Sequence, residues 1–308
     1  MPDGIHIPIA LSRETNKLVN AKDVLHGEDC YCTECNGDLY AVNKEKIQRA
    51  HFRHKPDSNC KFKNNYESYI HWLTKEVFKE IDTIELPVIS TSDLGSLKPI
   101  FHKKLEAYFH ANNLSNEISE VDLHYMIIKS KVELQAKTKI KIDSCKIEVP
   151  YKTKDGDIKV DVVLYIGNQE LFIEPYFTSK IDEDKHRKIA DINISTISIN
   201  LLDYVRKHAY LFTINDFKHF LMNNISSKKW EFIRVEKSKR LIDIYNFDDI
   251  FNKEEIKKDI EEKKRTSELI KDKERQQYLL NKEIEQLKED KKKVNINRFF
   301  NIDDEEFY

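Results

Sequence analysis

The chain has 308 residues, 34% of them charged, yet its formal net charge is only −2, so no chain-wide basic field marks it as a general nucleic-acid binder. No stretch approaches the roughly 18 apolar residues of a membrane span, and the opening MPDGIHIPIALSRE lacks a basic region followed by a long apolar run, so neither a membrane protein nor a secretory leader is expected. Five cysteines, four of them between residues 30 and 60, fit a reducing compartment better than a disulfide scaffold, and a cytoplasmic location follows as the expectation.

Along the chain, Ile5, Ile7, Ile9 and Leu11 alternate weakly and predict a short strand leading into a cysteine- and histidine-rich segment. That segment holds Cys32-x-x-Cys35, then His51-Phe-Arg-His54, then Cys60. A Cys-x-x-Cys bend supplies two thiolates, and a second pair some twenty residues on closes a tetrahedral zinc site that staples a segment too small for its own core. A redox Cys-x-x-Cys is the alternative, but it would have no His and Cys partners downstream. Cys32 and Cys35 are the firm ligands, His54 and Cys60 the second pair, with His51 as the alternate; Cys30 falls outside the pattern.

A helix follows over 66–81, where Tyr66, Tyr69, Ile70, Leu73, Val77 and Ile81 recur at helical spacing. Residues 84–140 read as an insertion or extended sheet region with a helix around 103–111. From 139 to 202 the pattern sharpens into strands over 139–151, 158–166 and 170–177, a helix over 182–192, and an almost continuously apolar strand over 194–202. Gly167-Asn168 marks the hairpin between the second and third strands. A helix over 215–223 and a strand near 230–235 come next, and a charged helix without Gly or Pro runs from about 252 to 293. Its apolar seam (Ile256, Ile260, Ile270, Leu280, Ile284, Leu287) is broken by Lys263, Lys273 and Gln277, so it predicts at most a weak coiled coil, with self-association or a protein partner as its use. The chain ends in an acidic tip closed by two aromatics, 301–308. The expected organisation is therefore an N-terminal strand and zinc-binding segment (1–64), an α/β core (65–250) and a helical tail (251–308).

Two carboxylates sit inside apolar strands: Asp161 between Val160 and Val162, and Glu174 between Ile173 and Pro175. A lone carboxylate there costs several kcal/mol unless compensated, and a divalent cation shared by both is the economical partner. Such a cation, Mg²⁺ or Mn²⁺, would serve hydrolysis of a phosphodiester. The alternative places both on the exposed face of a half-buried sheet. Local basic clusters, Lys228–Lys229, Arg234 and Lys237–Arg240, offer a phosphate-binding surface despite the neutral balance.

Over roughly 32–230 these residues resemble the competence-protein CoiA-like nuclease family. The likeness rests on Cys32, Cys35, His51-Phe-Arg-His54 and Cys60, then on Ser68, His71 and Lys75 with Glu67 just before, then on Asp161 and Glu174, and on the stretch from Thr178 through Asp182 to Lys185. The resemblance implies a restriction-endonuclease-like (PD-(D/E)XK) core, a structural zinc, a catalytic Mg²⁺ or Mn²⁺ held by Asp161 and Glu174, and nucleic acid, DNA foremost, as substrate. Glu67 and Glu148 are candidate additional acids. One departure matters: the family's lysine two residues after the Glu is here Tyr176. Lys180, Lys185 or Lys188 could deliver the missing charge from the following loop and helix. Without it, the chain would be a nuclease-fold adaptor that binds nucleic acid and recruits a partner through its tail.

Overall fold

The computed structural model describes residues 7–24, 29–42, 50–54, 60, 65–112, 132–208, 212–249 and 253–300. Ile5 and the acidic tip at 301–308 lie outside them. The chain is mixed α/β and divides into two compact units, Met1–Lys103 with Ile127–Tyr245, and Lys104–Met126 with Asn246–Tyr308. The expected segment 1–64 and the core that follows it fall in the same unit.

The first unit opens with a five-stranded antiparallel sheet of β1 (Ile9–Ser12), β2 (Leu18–Asn20), β3 (Cys30–Tyr31), β4 (Asp38–Val42) and β5 (His51–His54), in the order β2-β1-β3-β4-β5. Phe52 pairs back with Ile7, so the sheet curls on itself around Ile9, Leu39 and Phe52. Helix α1 (Tyr66–Phe78) is started by Asn65, whose Oδ1 accepts from the Ser68 backbone N–H at 3.2 Å. It buries Tyr69, Ile70, Leu73 and Val77 at the 3–4 residue spacing of a one-faced helix. Tyr69 is tied to the N-terminal sheet at two points: its hydroxyl donates to the Ile9 carbonyl (2.9 Å) and accepts from the Ile9 N–H (3.2 Å).

The region read as an insertion supplies two small antiparallel ladders. β6 (Thr83–Leu86) pairs with β9 (Thr138–Lys141), and β7 (Ile89–Ser90) with β8 (Glu133–Gln135); a 3₁₀ turn and α2 (Lys98–Ala111) lie between them in sequence. The main sheet has the order β10-β11-β12-β13-β14, formed by Ser144–Tyr151, Ile158–Ile166, Gln169–Tyr176, Thr196–Asn200 and Lys228–Phe232. Its first three strands form an antiparallel meander. Strand β13 is parallel to β12, because the connection between them is a crossover helix, α3 (Glu183–Ile192). β14 returns antiparallel on the far edge. Helices α4 (Leu202–Lys207), α5 (Ile214–Asn223) and α6 (Val235–Ile244) complete the unit.

Two cores flank this sheet. On one side Val162, Leu164, Leu171 and Ile173 join α1 and the N-terminal sheet; on the other Val160, Val163 and Phe172 join Ile189 of α3. The pleat of β10 changes sides partway along. Cys145 and Ile147 face the first core whereas Val149 and Tyr151, at the same two-residue spacing, face the second. Glu148, a non-glycine residue at φ 54°, lies at the change, and β11 changes sides opposite it, between Val160 and Val162.

The second unit contains the end of α2, a 3₁₀ turn at Phe247–Asp249 and α7 (Lys253–Phe300), a charged helix of 48 residues. Within it the Tyr108 hydroxyl donates to Asp248 at 2.7 Å, and its ring lies 5.3 Å from that of Phe247. No helix among the described residues is long and apolar enough to cross a membrane.

Candidate metal centre and candidate active site

Cys32, Cys35, His54 and Cys60 each offer one ligand atom, and the four atoms lie within 4.8 Å of one another. The sulfurs of Cys32 and Cys60 are 3.6 Å apart, near the edge of about 3.8 Å that Zn–S bonds of about 2.3 Å give a tetrahedron. Three thiolates and one imidazole form a closed, soft donor set, which suits zinc. Burial pushes the Cys32 thiol up to about 12, while backbone N–H groups of Cys35 and Glu34 directed at its sulfur act in the opposite sense. The bend carrying the first two ligands closes through a Cys32 N–H to Gly37 O bond (3.0 Å) and a left-handed Asn36. Any side chain at Gly37 would place its Cβ 3.2 Å from the Cys35 sulfur.

His51 and Cys30 stand outside the quartet. In an extended strand, residues 51 and 53 share one face and 52 and 54 the other. Accordingly Arg53 Nε donates to His51 Nε2 at 2.8 Å, while His54 turns with Phe52 toward the thiolates.

In the main sheet, Asp161 lies across from Glu148 on β10 and from Glu174 on β12, by extension of the registers Ile147↔Val162 and Val162↔Ile173. Three carboxylates therefore form one row over three adjacent strands. Glu174 is 4% exposed, and its Oε1 is buried with no side-chain hydrogen-bond partner among the described residues. Burial pushes its carboxyl up to about 7, with the Lys185 charge opposing and the Asp161 charge reinforcing.

Cations reach the row from both faces of the sheet. Lys75 of α1 contacts Asp161 Oδ1 at 2.8 Å and Glu148 Oε1 at 3.1 Å. Lys185 of α3 contacts Glu174 Oε2 at 2.5 Å, and Lys159 contacts Glu148 Oε2 at 2.5 Å. Of the other lysines weighed from sequence, Lys180 is exposed in the loop and Lys188 pairs with Asp184 at 2.7 Å. The charges acting on the Tyr176 phenol, whose pKa burial raises, are those of Glu231, Asp203 and Lys229. Glu67 does not join the row directly but accepts from the Thr178 hydroxyl at 3.0 Å.

Glu67, His71 and Lys75 recur every four residues and so share one face of α1. Burial lowers the His71 pKa, and the charges acting on the ring are Asp161, Lys75, Glu67 and Lys185. With Glu34 of the cysteine bend, Trp72 and Glu148, these three line a groove of about 490 Å³. Glu34, next in sequence to Cys35, thus lines the same groove as Glu148 of the acidic row. Sequence reading gave Lys75 no charge-pairing role, since its partners stand 73 and 86 residues away; the four-residue spacing on α1 was the available signal.

The basic clusters are less uniform than they read. Lys228 is buried, and its ammonium donates to the Met222 carbonyl at 3.0 Å. Arg234 pairs with Glu236 at 2.9 Å, and the Lys237 ammonium lies 5.3 Å from the centre of the Trp230 ring. No protein-family model matches the chain, and no curated protein or solved structure gives a significant match.

Proposed function

We propose that the chain is a metal-dependent nuclease of the CoiA-like kind, hydrolysing nucleic-acid phosphodiesters, with DNA the expected substrate. The observation that carries this reading is the row Glu148–Asp161–Glu174, reached by Lys75 and Lys185 from opposite faces of one sheet. The element order supports it: a helix, a three-stranded meander, a crossover helix and a parallel strand is the arrangement expected of a PD-(D/E)XK core. Asp161 and the unpartnered Oε1 of Glu174 would hold Mg²⁺ or Mn²⁺. When bound, such an ion lowers the pKa of coordinated water and neutralises charge on the phosphate.

The protein's own groups do the rest. Lys75 and Lys185 hold positive charge beside the carboxylates, where the equatorial oxygens of a phosphodiester would lie. His71, whose pKa burial lowers, would accept a proton from water as its oxygen bonds phosphorus and the opposite P–O bond breaks. The leaving oxygen takes up a proton from solvent. The Cys32–Cys35–His54–Cys60 centre would hold a structural zinc that fixes the wall carrying Glu34. Asp161→Ala and Glu174→Ala are each expected to reduce cleavage at least about a hundredfold with nucleic-acid binding largely retained. A nuclease assay with Mg²⁺ or Mn²⁺ on single- and double-stranded substrates decides it, and wild-type rates in either variant reject the site. Tyr176 in the usual lysine position favours a second reading, an adaptor that binds nucleic acid without cutting; binding with no cleavage by the wild type under any metal would select it.

A further inference from the structure

The acidic row carries its own counter-ions in equal number. When all three are ionised, Glu148, Asp161 and Glu174 supply three negative charges; Lys75, Lys159 and Lys185 supply three positive ones, each within 3.1 Å of a carboxylate oxygen. Lys75 bridges two members of the row, and its side chain is only 14% exposed, so its stem is held by packing along α1. Lys185 covers one oxygen of Glu174 and leaves the other, buried Oε1, without a side-chain partner among the described residues. A divalent cation approaching Asp161 and Glu174 therefore meets two ammonium groups bonded to the carboxylates it needs. Like charges brought this close repel, and more strongly in a partly buried site than in water.

We propose that Lys75 and Lys185 keep this site self-neutralised, so that it takes up a divalent cation cooperatively with the phosphate backbone of its substrate. A phosphodiester offers each ammonium a replacement anion, which releases Asp161 Oδ1 and Glu174 Oε2 for the metal. Cation and substrate then strengthen one another's binding by the same factor, as linkage requires. The two lysines change partner, from carboxylate to phosphate, while their stems stay on α1 and α3. The inference rests on the nuclease reading and adds an order of assembly: without substrate the metal site is largely closed by the protein's own cations.

The test is Mn²⁺ binding to the full, zinc-loaded chain, followed by electron paramagnetic resonance with and without a phosphorothioate DNA oligonucleotide that resists cleavage. Only binding lost in Asp161→Ala is counted, which removes Mn²⁺ held by the oligonucleotide. Wild-type affinity should tighten at least about tenfold when DNA is added. Lys75→Gln should bind Mn²⁺ about tenfold more tightly than wild type without DNA, and should lose most of the further gain. Lys185→Gln should shift the same way, which guards against a folding defect in either variant alone. Asp161-dependent binding that is indifferent to DNA, or unchanged in both lysine variants, overturns the proposal while leaving the nuclease reading intact. Mn²⁺ binding indifferent to both Asp161→Ala and Glu174→Ala overturns the metal site and this proposal together.

Discussion

Glu174 spends stability to be where it is. A carboxyl whose folded-state pKa stands near 7, above its unfolded value near 4.5, stabilises the fold through its protonated form. That contribution is whole below about 4.5 and is lost as pH rises through about 7. The melting temperature without added divalent cation should therefore decline from pH 5 to pH 8 by a component that Glu174→Gln abolishes. At pH 8 the glutamine variant should melt about 2–4 °C higher than wild type and cleave nothing. Thermal unfolding followed by circular dichroism decides it; a lower melting point at pH 8 would show that the Lys185 pair outweighs the burial cost. The candidacy of Asp161, Glu174 and Glu148 was legible in sequence, because a charge inside an apolar alternation is conspicuous. Their alignment was not, since it depends on the registers joining three strands.

At the scale of elements, β5 settles which histidine faces the thiolates. His51 and His54 are three apart, so an extended strand puts them on opposite faces, and one of them must leave the centre. Zinc content by elemental analysis should stay near wild type in His51→Ala and fall to background in His54→Ala and Cys60→Ser. Retention of zinc by His54→Ala would reassign the fourth ligand. This discrimination was available in the sequence to a reading that applied strand periodicity to His51-Phe-Arg-His54. The ladders β6–β9 and β7–β8 were harder to see, because partners in each lie more than 40 residues apart and no short turn signals their pairing. Helix α6 was hidden differently. Its basic residues drew attention to phosphate, while Ser238, Leu241 and Ile242 at helical spacing were the signal of a packed face.

On the scale of the whole molecule, α7 is the long element that leaves apolar residues exposed where its side chains are described. Forty-eight residues at 1.5 Å each make a rod of about 72 Å. Leu280, Ile284 and Leu287 are exposed along it, as are Leu269 and Ile270. A helix of that length with an uncovered apolar stripe gains by pairing with a second helix. Deleting 252–308 should leave zinc content and the main melting transition unchanged and give a monomer in sedimentation, where the full chain should self-associate. Equal masses for both would discard the seam. Helix and charge were plain from composition, but the sequence held no sign that the N-terminal sheet and α1 share one core, since that contact is made only by folding.

Tyr69 turns that shared core into an evolutionary constraint. Its buried hydroxyl bonds both backbone groups of Ile9, sixty residues away, while two and six positions along the same helix His71 and Lys75 line the groove beside the acids. The cysteine-rich segment is therefore not a cassette that could be exchanged or shed. A lineage that lost its first strand would strand a phenol in apolar surroundings and unseat the helix that presents Lys75 to Asp161. The two motifs should be inherited, or decay, as one.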